Sequence, residues 1–401
     1  MARTTHDDST TPAHPRLHVA LELSLNTWKL ALTTSRAGKA RIRDVKARDF
    51  PGFLTEIQDA KKRLGLAEDI RVVTCYEAGR DGFWIHRFLE AHGIENVVID
   101  PASIEVNRRS RRPKTDRLDA QKLVQLLARH HDGEDVLRVV RVPSVEAEDE
   151  RRLPRRLRTL KRRRVQATNR IQAALFQHGV DVSPRKLCFN KRRILQEVRK
   201  ARQWDGTPLP PDLLDDVRMF VDQCDLITRQ IKKLEKRQRE VLREARREAP
   251  EATPAQRKAA TLSRLRGVGD VGAYVLATEF FGWRTFNNRK EVGALAGLTG
   301  TPHQSGGPGR EQGISKAGNP RVRTLMVELS WLWLRFQPES KTTRWFHDHV
   351  GKAGSRGKRK AIVAVARKLL VELWHFVEHG VVPEGAVLMD DIERANAQAA
   401  A

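Results

Sequence analysis

Cysteine is nearly missing from this chain: Cys75, Cys188 and Cys224 are the only three in 401 residues, far apart and outside any CxxC pair or zinc-spaced His cluster. An odd and scattered set argues against a disulfide framework and against a structural zinc, and fits a reducing cytoplasm. Also missing is any apolar run near the roughly 20 residues that a membrane helix needs, and residues 1–15 are polar with no apolar signal core. The expectation is a cytoplasmic, nucleoid-associated chain without a membrane span or Sec export. No internal repeat is visible. Negative charge is in deficit, with 50 Asp plus Glu against 75 Lys plus Arg, a formal charge of +25. A surplus of that size points to a polyanionic partner. With 39% hydrophobic and 31% charged residues, the chain is too apolar to be wholly disordered, and its length allows two or three domains.

What is present falls into three textures. Behind the polar leader, His18–Glu22, Trp28–Thr33 and Arg41–Val45 read as a three-strand meander. Pro51 opens a helix carrying Phe53, Leu54, Ile57 and Leu64, and Ile70–Glu77 is a short apolar run typical of a buried strand. A helix over Phe83–His92, a strand over Asn96–Asp100, the basic loop NRRSRRPK and a helix from Asp116 to His130 complete the order βββαβαβα, which suits an RNase H-like sheet with helices on both faces. From Glu146 the sequence becomes long, charged helix, beginning with the cationic run Arg151–Arg164, in which Pro154 marks a helix start or kink. Val217, Phe220, Cys224, Ile227, Ile231, Leu234, Gln238 and Val241 alternate spacings of three and four, the a/d pattern of a coiled coil with Gln238 as its one polar member. A coiled-coil arm between copies and a helical hairpin within the chain both satisfy that pattern. The last third is Gly-rich and then helical, with amphipathic stretches through Val322–Phe336 and Ile362–Val377 around a flexible cationic loop at Gly351–Lys360. The expected division is a leader over 1–15, an α/β domain over 16–145, a basic helical arm over 146–255, a mostly helical domain over 256–381, and a poorly ordered tail over 382–401.

Three clusters could carry chemistry. Glu22 and Glu77 end the first and fourth strands, which neighbour each other in an RNase H-like sheet, while Asp116 and Asp119 stand at i and i+3 on one helix face. Carboxylates about 4 Å apart repel by roughly 4 kcal/mol at an effective dielectric near 20, so such a cluster calls for a divalent cation. Oxygen-only donors favour Mg²⁺ or Mn²⁺, which could promote phosphodiester chemistry. Ordinary strand-end acids and a capped helix start explain the same spacing. The second cluster is Thr301–Arg323, where Gly306, Gly307 and Gly309 allow close approach to a phosphate that Arg310, Lys316, Arg321 and Arg323 could neutralise. Ser305 is its candidate nucleophile, with His303 nearby, against a flexible loop carrying a passive serine. The third is LRGVGDVGA, in which Gly267, Gly269 and Gly272 resemble a helix-hairpin-helix turn holding a phosphate oxygen, or simply a turn between helices. Arg162 and Arg163 on the basic helix are further phosphate contacts. Tryptophans 283, 331, 333, 345 and 374 could stack on bases, although their helix-face spacing favours core packing.

HVALELSLNTWKLAL, CYEAG, PKTDRLDAQKL, LRGVGDVGAYVLATEF, EVGALAGLTGTP and SGGPGREQGISKAGNPRVR occur in an order that resembles the DEDD-type insertion-sequence transposases of the one-ten family, from about Leu17 to Gly380. The resemblance implies a RuvC-like domain, a coiled-coil arm and a C-terminal transposase domain whose serine attacks DNA. It further implies Mg²⁺ (or Mn²⁺), a noncoding guide RNA that pairs with donor and target DNA, and a dimer-to-tetramer assembly with a composite site. Carried over by position, the tetrad is Glu22, Glu77, Asp116 and Asp119 and the nucleophile is Ser305. The family pattern has Asp at its first acid, where this chain has Glu22, and the extra methylene moves the carboxylate by about an ångström, enough to disturb in-line geometry. Two rivals stand beside this reading: a RuvC-like structure-specific endonuclease using metal-activated water, and a non-catalytic nucleic-acid-binding scaffold.

Overall fold

The amino-terminal strands are built from residues that suit a sheet covered on both sides. In β1 (Arg16–Glu22), Leu17, Val19 and Leu21 project to one face, and His18, Ala20 and Glu22 to the other, with the five central residues all buried. β2 (Thr27–Thr33) pairs with it antiparallel and β3 (Arg41–Lys46) pairs antiparallel with β2. β4 (Arg71–Glu77) joins the other side of β1 in parallel, and β5 (Glu95–Ile99) pairs in parallel with β4. The sheet order is thus β3-β2-β1-β4-β5, and the expected element order holds through this region. In the computed structural model the described residues are 16–35, 39–104, 116–181, 191–247, 249–303, 310–350 and 354–392.

Helices cover both faces of this sheet for different reasons. α1 (Phe50–Arg63), capped by the Asp49 carboxylate on the Gly52 amide, and α2 (Trp84–Ala91) bury Phe53, Ile57, Ile85 and Leu89 against the Leu17, Leu21, Leu30 and Tyr76 face. α3 (Asp116–His131) lies on the opposite face, where Ala20, Ala31 and Cys75 are small enough to let Ala120, Leu123, Val124 and Leu127 pack. Residues 1–142 form one compact unit and residues 143–401 a second.

The second unit is mostly helical. α4 (Val145–Glu150), capped by Ser144, is followed by the basic helix α5 (Arg152–Phe176), with Pro154 in its first turn. α6 (Lys191–Lys200) precedes α7 (Pro211–Arg246), 36 residues long. The three-four seam is filled within the chain: Ile231 and Leu234 pack on Leu157 and Leu160, and Val217, Val221 and Cys224 pack on Ala167, Ile171 and Leu175. Residue numbers rise on one helix as they fall on the other, so α5 and α7 make an antiparallel hairpin, the second of the two arrangements the spacing allows. Val221 and Leu242 are more deeply buried in place of Phe220 and Val241.

α8 (Pro254–Ser263), α9 (Gly269–Leu276), a π-helical turn at Ala277–Phe281, α10 (Arg289–Leu295), the hairpin β6 (Gly300–His303) and β7 (Arg310–Ile314), α11 (Pro320–Phe336), α12 (Lys341–Val350) and α13 (Ser355–His379) make up the rest. Their shared core joins Phe280, Phe281, Met326, Trp333, Leu369 and Leu373. Two expectations are corrected here. The cationic stretch read as a loop through Lys360 is helical from Ser355 on. The tail docks rather than hangs free: the buried Gln337 amide donates to the Arg266 and Val387 carbonyls and accepts from the Val387 amide, and Arg264 pairs with Asp390. A buried amide needs those partners, so the segment through Asp390 stays with the core. Cys75 and Cys224 are buried and form no disulfide, and no helix among the described residues is long and apolar enough to cross a membrane.

Candidate active site and nucleic-acid interface

The carboxylate cluster is built by register. Leu21 on β1 pairs with Tyr76 on β4, so Glu22 and Glu77 are the next residues on adjacent parallel strands, at the C-terminal edge of both. Because Leu21 and Tyr76 face α1 and α2, alternation turns both glutamates to the side that α3 covers. α3 runs opposite to β1. Near its C-terminal end the His131 Nδ1 lies 3.1 Å from the His18 Nε2 at the start of β1, and the Leu123 carbonyl accepts from the Cys75 thiol at 3.9 Å on β4. From Cys75 to Glu77 a strand rises about 6.6 Å. From Leu123 back to Asp119 a helix rises about 6 Å. Asp119 is therefore level with the glutamates, Asp116 lies about one turn farther on, and both continue the helix face marked by Ala120 and Leu123.

Glu77 and Asp116 are exposed, whereas Glu22 and Asp119 are half-buried. Among the described residues no group of three or more His, Cys, Asp or Glu side chains is gathered closely enough to hold a metal ion. The four acids share an edge, three of them at one level and Asp116 about a turn beyond, rather than a closed cage. Their donors are all carboxylate oxygens, which fits a hard cation such as Mg²⁺ or Mn²⁺ and not a zinc-type thiolate or imidazole site. Sequence reading missed a cation at this edge. Lys29, directly opposite Glu22 on β2, holds Asp44 of β3 at 2.8 Å, giving a Glu-Lys-Asp row across three strands.

The opposite end of the same sheet face is histidine-lined. Burial, with the neighbouring His131, pushes His18 down to about 4, and burial also lowers His131 against the pull of Glu95. At both imidazoles burial favours the neutral form.

In the second unit, Ser305 lies outside the described residues, as do Gly306, Gly307 and Gly309, while the His303–Arg310 pair closes the described part of the hairpin that flanks them. Beyond the hairpin the chain makes a tight return. Lys316 is exposed with φ +56°, a left-handed conformation rare for a side chain of this kind. Gly318, at φ +120°, sits where a Cβ would strike the Leu295 backbone. Asn319 caps α11 by accepting from the Arg321 and Val322 amides. Arg323, expected on phosphate, has its guanidinium turned to the protein, donating to the Lys316 carbonyl at 3.0 Å and the Ala296 carbonyl at 3.4 Å.

Arg321 approaches a buried network that sequence reading did not find. Glu279, 1% exposed within the π-helical turn, accepts two hydrogen bonds from Arg155, at 2.7 and 2.8 Å, and lies 3.8 Å from the Arg321 guanidinium. Asn319 also donates to Glu279 at 3.4 Å. Burial alone would raise the Glu279 carboxyl, but the Arg155 hydrogen bonds and charge, with Arg321, outweigh it and hold the pKa below the usual carboxylate value. Burial, aided by Arg155 and Arg158, lowers Arg321 against the attraction of Glu279. No local signal marks it, because the π turn and the partner 124 residues away are both set only by the fold.

The glycine turn is a connection between α8 and α9. Gly267 and Gly269 take positive φ, as a tight turn requires, but Gly272 lies inside α9, where a Cβ would stand 3.1 Å from Leu329. Gly272 therefore serves packing on α11 rather than the turn. Asp270 in the first turn of α9 is ion-paired with Arg246, so a carboxylate already complements that helix end. Arg162 and Arg163 are exposed on α5. Trp333 and Trp374 are core residues, while Trp283 is covered by Arg151 and Arg284 at 4.7 and 4.1 Å from its ring centroid.

Comparison with known proteins places both units. Residues 16–179 match the family model for DEDD transposases of the IS110 type, and residues 259–345 match that of the transposase IS116/IS110/IS902 family. The chain is 41% identical over 379 residues to "Putative transposase y4rJ" of Sinorhizobium fredii strain NGR234, covering 93% of this chain and 94% of that protein. Another protein of that strain, y4qE, with the same description, is 29% identical over 76% of this chain and 74% of its own length. The transposase for insertion sequence element IS1328 of Yersinia enterocolitica is 27% identical over 56% of this chain and 61% of its length.

Proposed function

Starting from the fact that the chain belongs to the IS110/IS116 family of DEDD transposases, enzymes acting on DNA in transposition, we propose that it excises and inserts its element by serine-mediated strand cleavage and rejoining, guided by a noncoding RNA. The observation that carries the reading is the strand-end register that sets Glu22 beside Glu77, with Asp119 of α3 level with them and Asp116 about one turn beyond. On this reading the first unit is an RNase H-like, RuvC-type domain, and Glu22, Glu77, Asp116 and Asp119 hold Mg²⁺ or Mn²⁺. Bound there, such an ion would supply charge neutralisation at the phosphate.

This chain's own residues do the rest. The Ser305 hydroxyl attacks the scissile phosphodiester: the bond from its Oγ to phosphorus forms, the bond from phosphorus to one sugar oxygen breaks, and that oxygen leaves as a hydroxyl with the proton given up by the serine. Attack by a sugar hydroxyl of another strand reverses the exchange, frees Ser305 and rejoins DNA. Lys316, Arg310 and Arg321 lie along the chain beyond the serine and would offset phosphate charge. The exposed Arg162 and Arg163, together with the Gly267–Gly269 turn, add backbone contacts. Assembly as a dimer or tetramer would bring serine and carboxylates of different copies to one substrate.

The test is a denaturing-gel search for a covalent DNA adduct. Protein co-expressed with its flanking DNA, so that any guide is present, is incubated with labelled element junctions and Mg²⁺ beside a Ser305→Ala control. A protein-bound label absent from the control is the expected result. Cleaved DNA with no adduct would replace this reading by the metal-activated-water endonuclease, and binding without either product would leave the scaffold.

A further inference from the structure

The second unit encloses a cavity of about 340 Å³ whose walls come from α5, α7, α9, the π turn and α11. That volume lies at the lower end of the range of about 300–1,000 Å³ for small-ligand pockets. Leu157, Val271, Val275 and Leu325 give it apolar sides. Arg158 of α5 and Arg321 of α11 line it from different elements. Glu279 is matched by the fork of Arg155, and Lys161 by Glu235 at 2.8 Å, which leaves Arg158 without an ion pair among the described residues. Glu328 stands at the rim.

Gln238 is the second, independent observation. It is the polar member of the three-four seam, and a register device would find a polar partner across the hairpin. It does not: at 2% exposure, neither its Oε1 nor its Nε2 has a hydrogen-bond partner among the described residues. An amide buried this way forgoes a donor and an acceptor together. It lines this cavity and also an adjoining one beneath α9 and α11. Both amide atoms are sealed from solvent, so a ligand edge reaches them only once the side chain turns toward the cavity.

Apolar side chains, an unpartnered donor-acceptor pair and two arginines in one lining match the parts of a nucleotide with an unpaired base. Every base carries adjacent donor and acceptor groups, and adenine offers them on the edge that a Gln side chain reads bidentately. We propose that this cavity takes one unpaired nucleotide of the bound nucleic acid, its base between Leu157, Val271, Val275 and Leu325 with an edge on Gln238, and its phosphate on Arg158 and Arg321. Capture of that kind selects strands already open, because taking a base out of a duplex costs its pairing and stacking. The inference rests on the nucleic-acid reading of the second unit but not on the serine chemistry.

The experiment uses the full chain and fluorescence anisotropy, with labelled single strands that are abasic throughout or carry one adenine, each on a deoxyribose and on a ribose backbone. The wild-type protein is expected to prefer the adenine-bearing strand by roughly tenfold, and the backbone on which the preference is larger identifies DNA or RNA as the source. Val271→Trp, at a position 50% exposed, fills the cavity without loading the core; it should bring the preference to about one and keep the affinity for the abasic strand. Gln238→Leu should reduce the preference while its thermal midpoint stays at or above that of the wild type, since it removes the unpaired amide. Equal binding of the two strands by the wild type, or a preference that Val271→Trp leaves intact, overturns the pocket. Failure to bind either strand at low salt would instead remove the nucleic-acid reading of the unit.

Discussion

Acids are handled in opposite ways in the two units. At the sheet edge Asp119 is level with Glu22 and Glu77 while Asp116 lies about one turn beyond, and Glu77 and Asp116 are open to solvent. In the second unit Glu279 is sealed from solvent and held by Arg155, with Arg321 and Asn319 beside it. A carboxylate with its lone pairs already taken by a guanidinium fork has little left for a cation, whereas Glu77 and Asp116 at the sheet edge are exposed to solvent. The same side-chain chemistry thus serves structure in the second unit and, on the proposed reading, would serve recognition of an ion in the first. Burial and pairing, more than residue type, separate the two.

The largest expected break in that contrast is in activity. Glu77→Gln, tested for cleavage of element junctions, should lose at least about a hundredfold in rate, since metal-assisted charge stabilisation is worth several kcal/mol, while nucleic-acid binding and the unfolding midpoint of the first unit hold. Glu279→Ala should show the reverse emphasis: it strands Arg155 and should cost about 2–3 kcal/mol in urea unfolding of the second unit, below the usual loss for a broken buried pair because Arg155 is 39% exposed. The double change Glu279→Met with Arg155→Leu should restore part of that loss. If Glu279→Ala instead unfolds like the wild type, the network is not structural.

A smaller effect distinguishes the two ends of the sheet by pH. His18 titrates at about 4 in the folded chain and at 6.5 when unfolded. The unfolded state therefore binds more protons between those values, so stability of the first unit is complete above pH 6.5, declines as pH falls, and stops declining below about 4. Denaturant midpoints measured across that window should show the slope, and His18→Gln should flatten it. The smallest change contrasts two arginines. Arg162→Gln should lower the logarithmic salt slope of DNA binding by about one without altering stability, whereas Arg323→Gln, which removes hydrogen bonds to two carbonyls, should lower stability by about 1 kcal/mol.

How much of this could be read from sequence differs between the same two regions. The βββαβαβα order and the placing of Glu22 and Glu77 at strand ends follow from local apolar patterning, and the i, i+3 spacing already puts Asp116 and Asp119 on one helix face. Pairing across the fold is another matter. Arg155 and Glu279 stand 124 residues apart, and nothing in either neighbourhood announces the other. The heptad spacing of α7 fixed which face is apolar but was silent on what covers it, because a partner copy and the preceding basic helix satisfy the same pattern. Gly272 looked like its turn neighbours Gly267 and Gly269, although only the space beside Leu329 requires it. The tail was misread for a similar reason: its anchor is the Gln337 amide, 50 residues away from Val387.

The central claim, a divalent ion held at the sheet edge, is met most directly by replacing Mg²⁺ with Fe²⁺ and letting locally generated hydroxyl radicals cut the polypeptide. Mapping the fragments by mass spectrometry should place cuts beside Glu22, Glu77 and the Asp116–Asp119 turn, and competing Mg²⁺ should suppress all of them together. Cuts scattered along the chain, or confined to sites away from those three segments, would contradict the account.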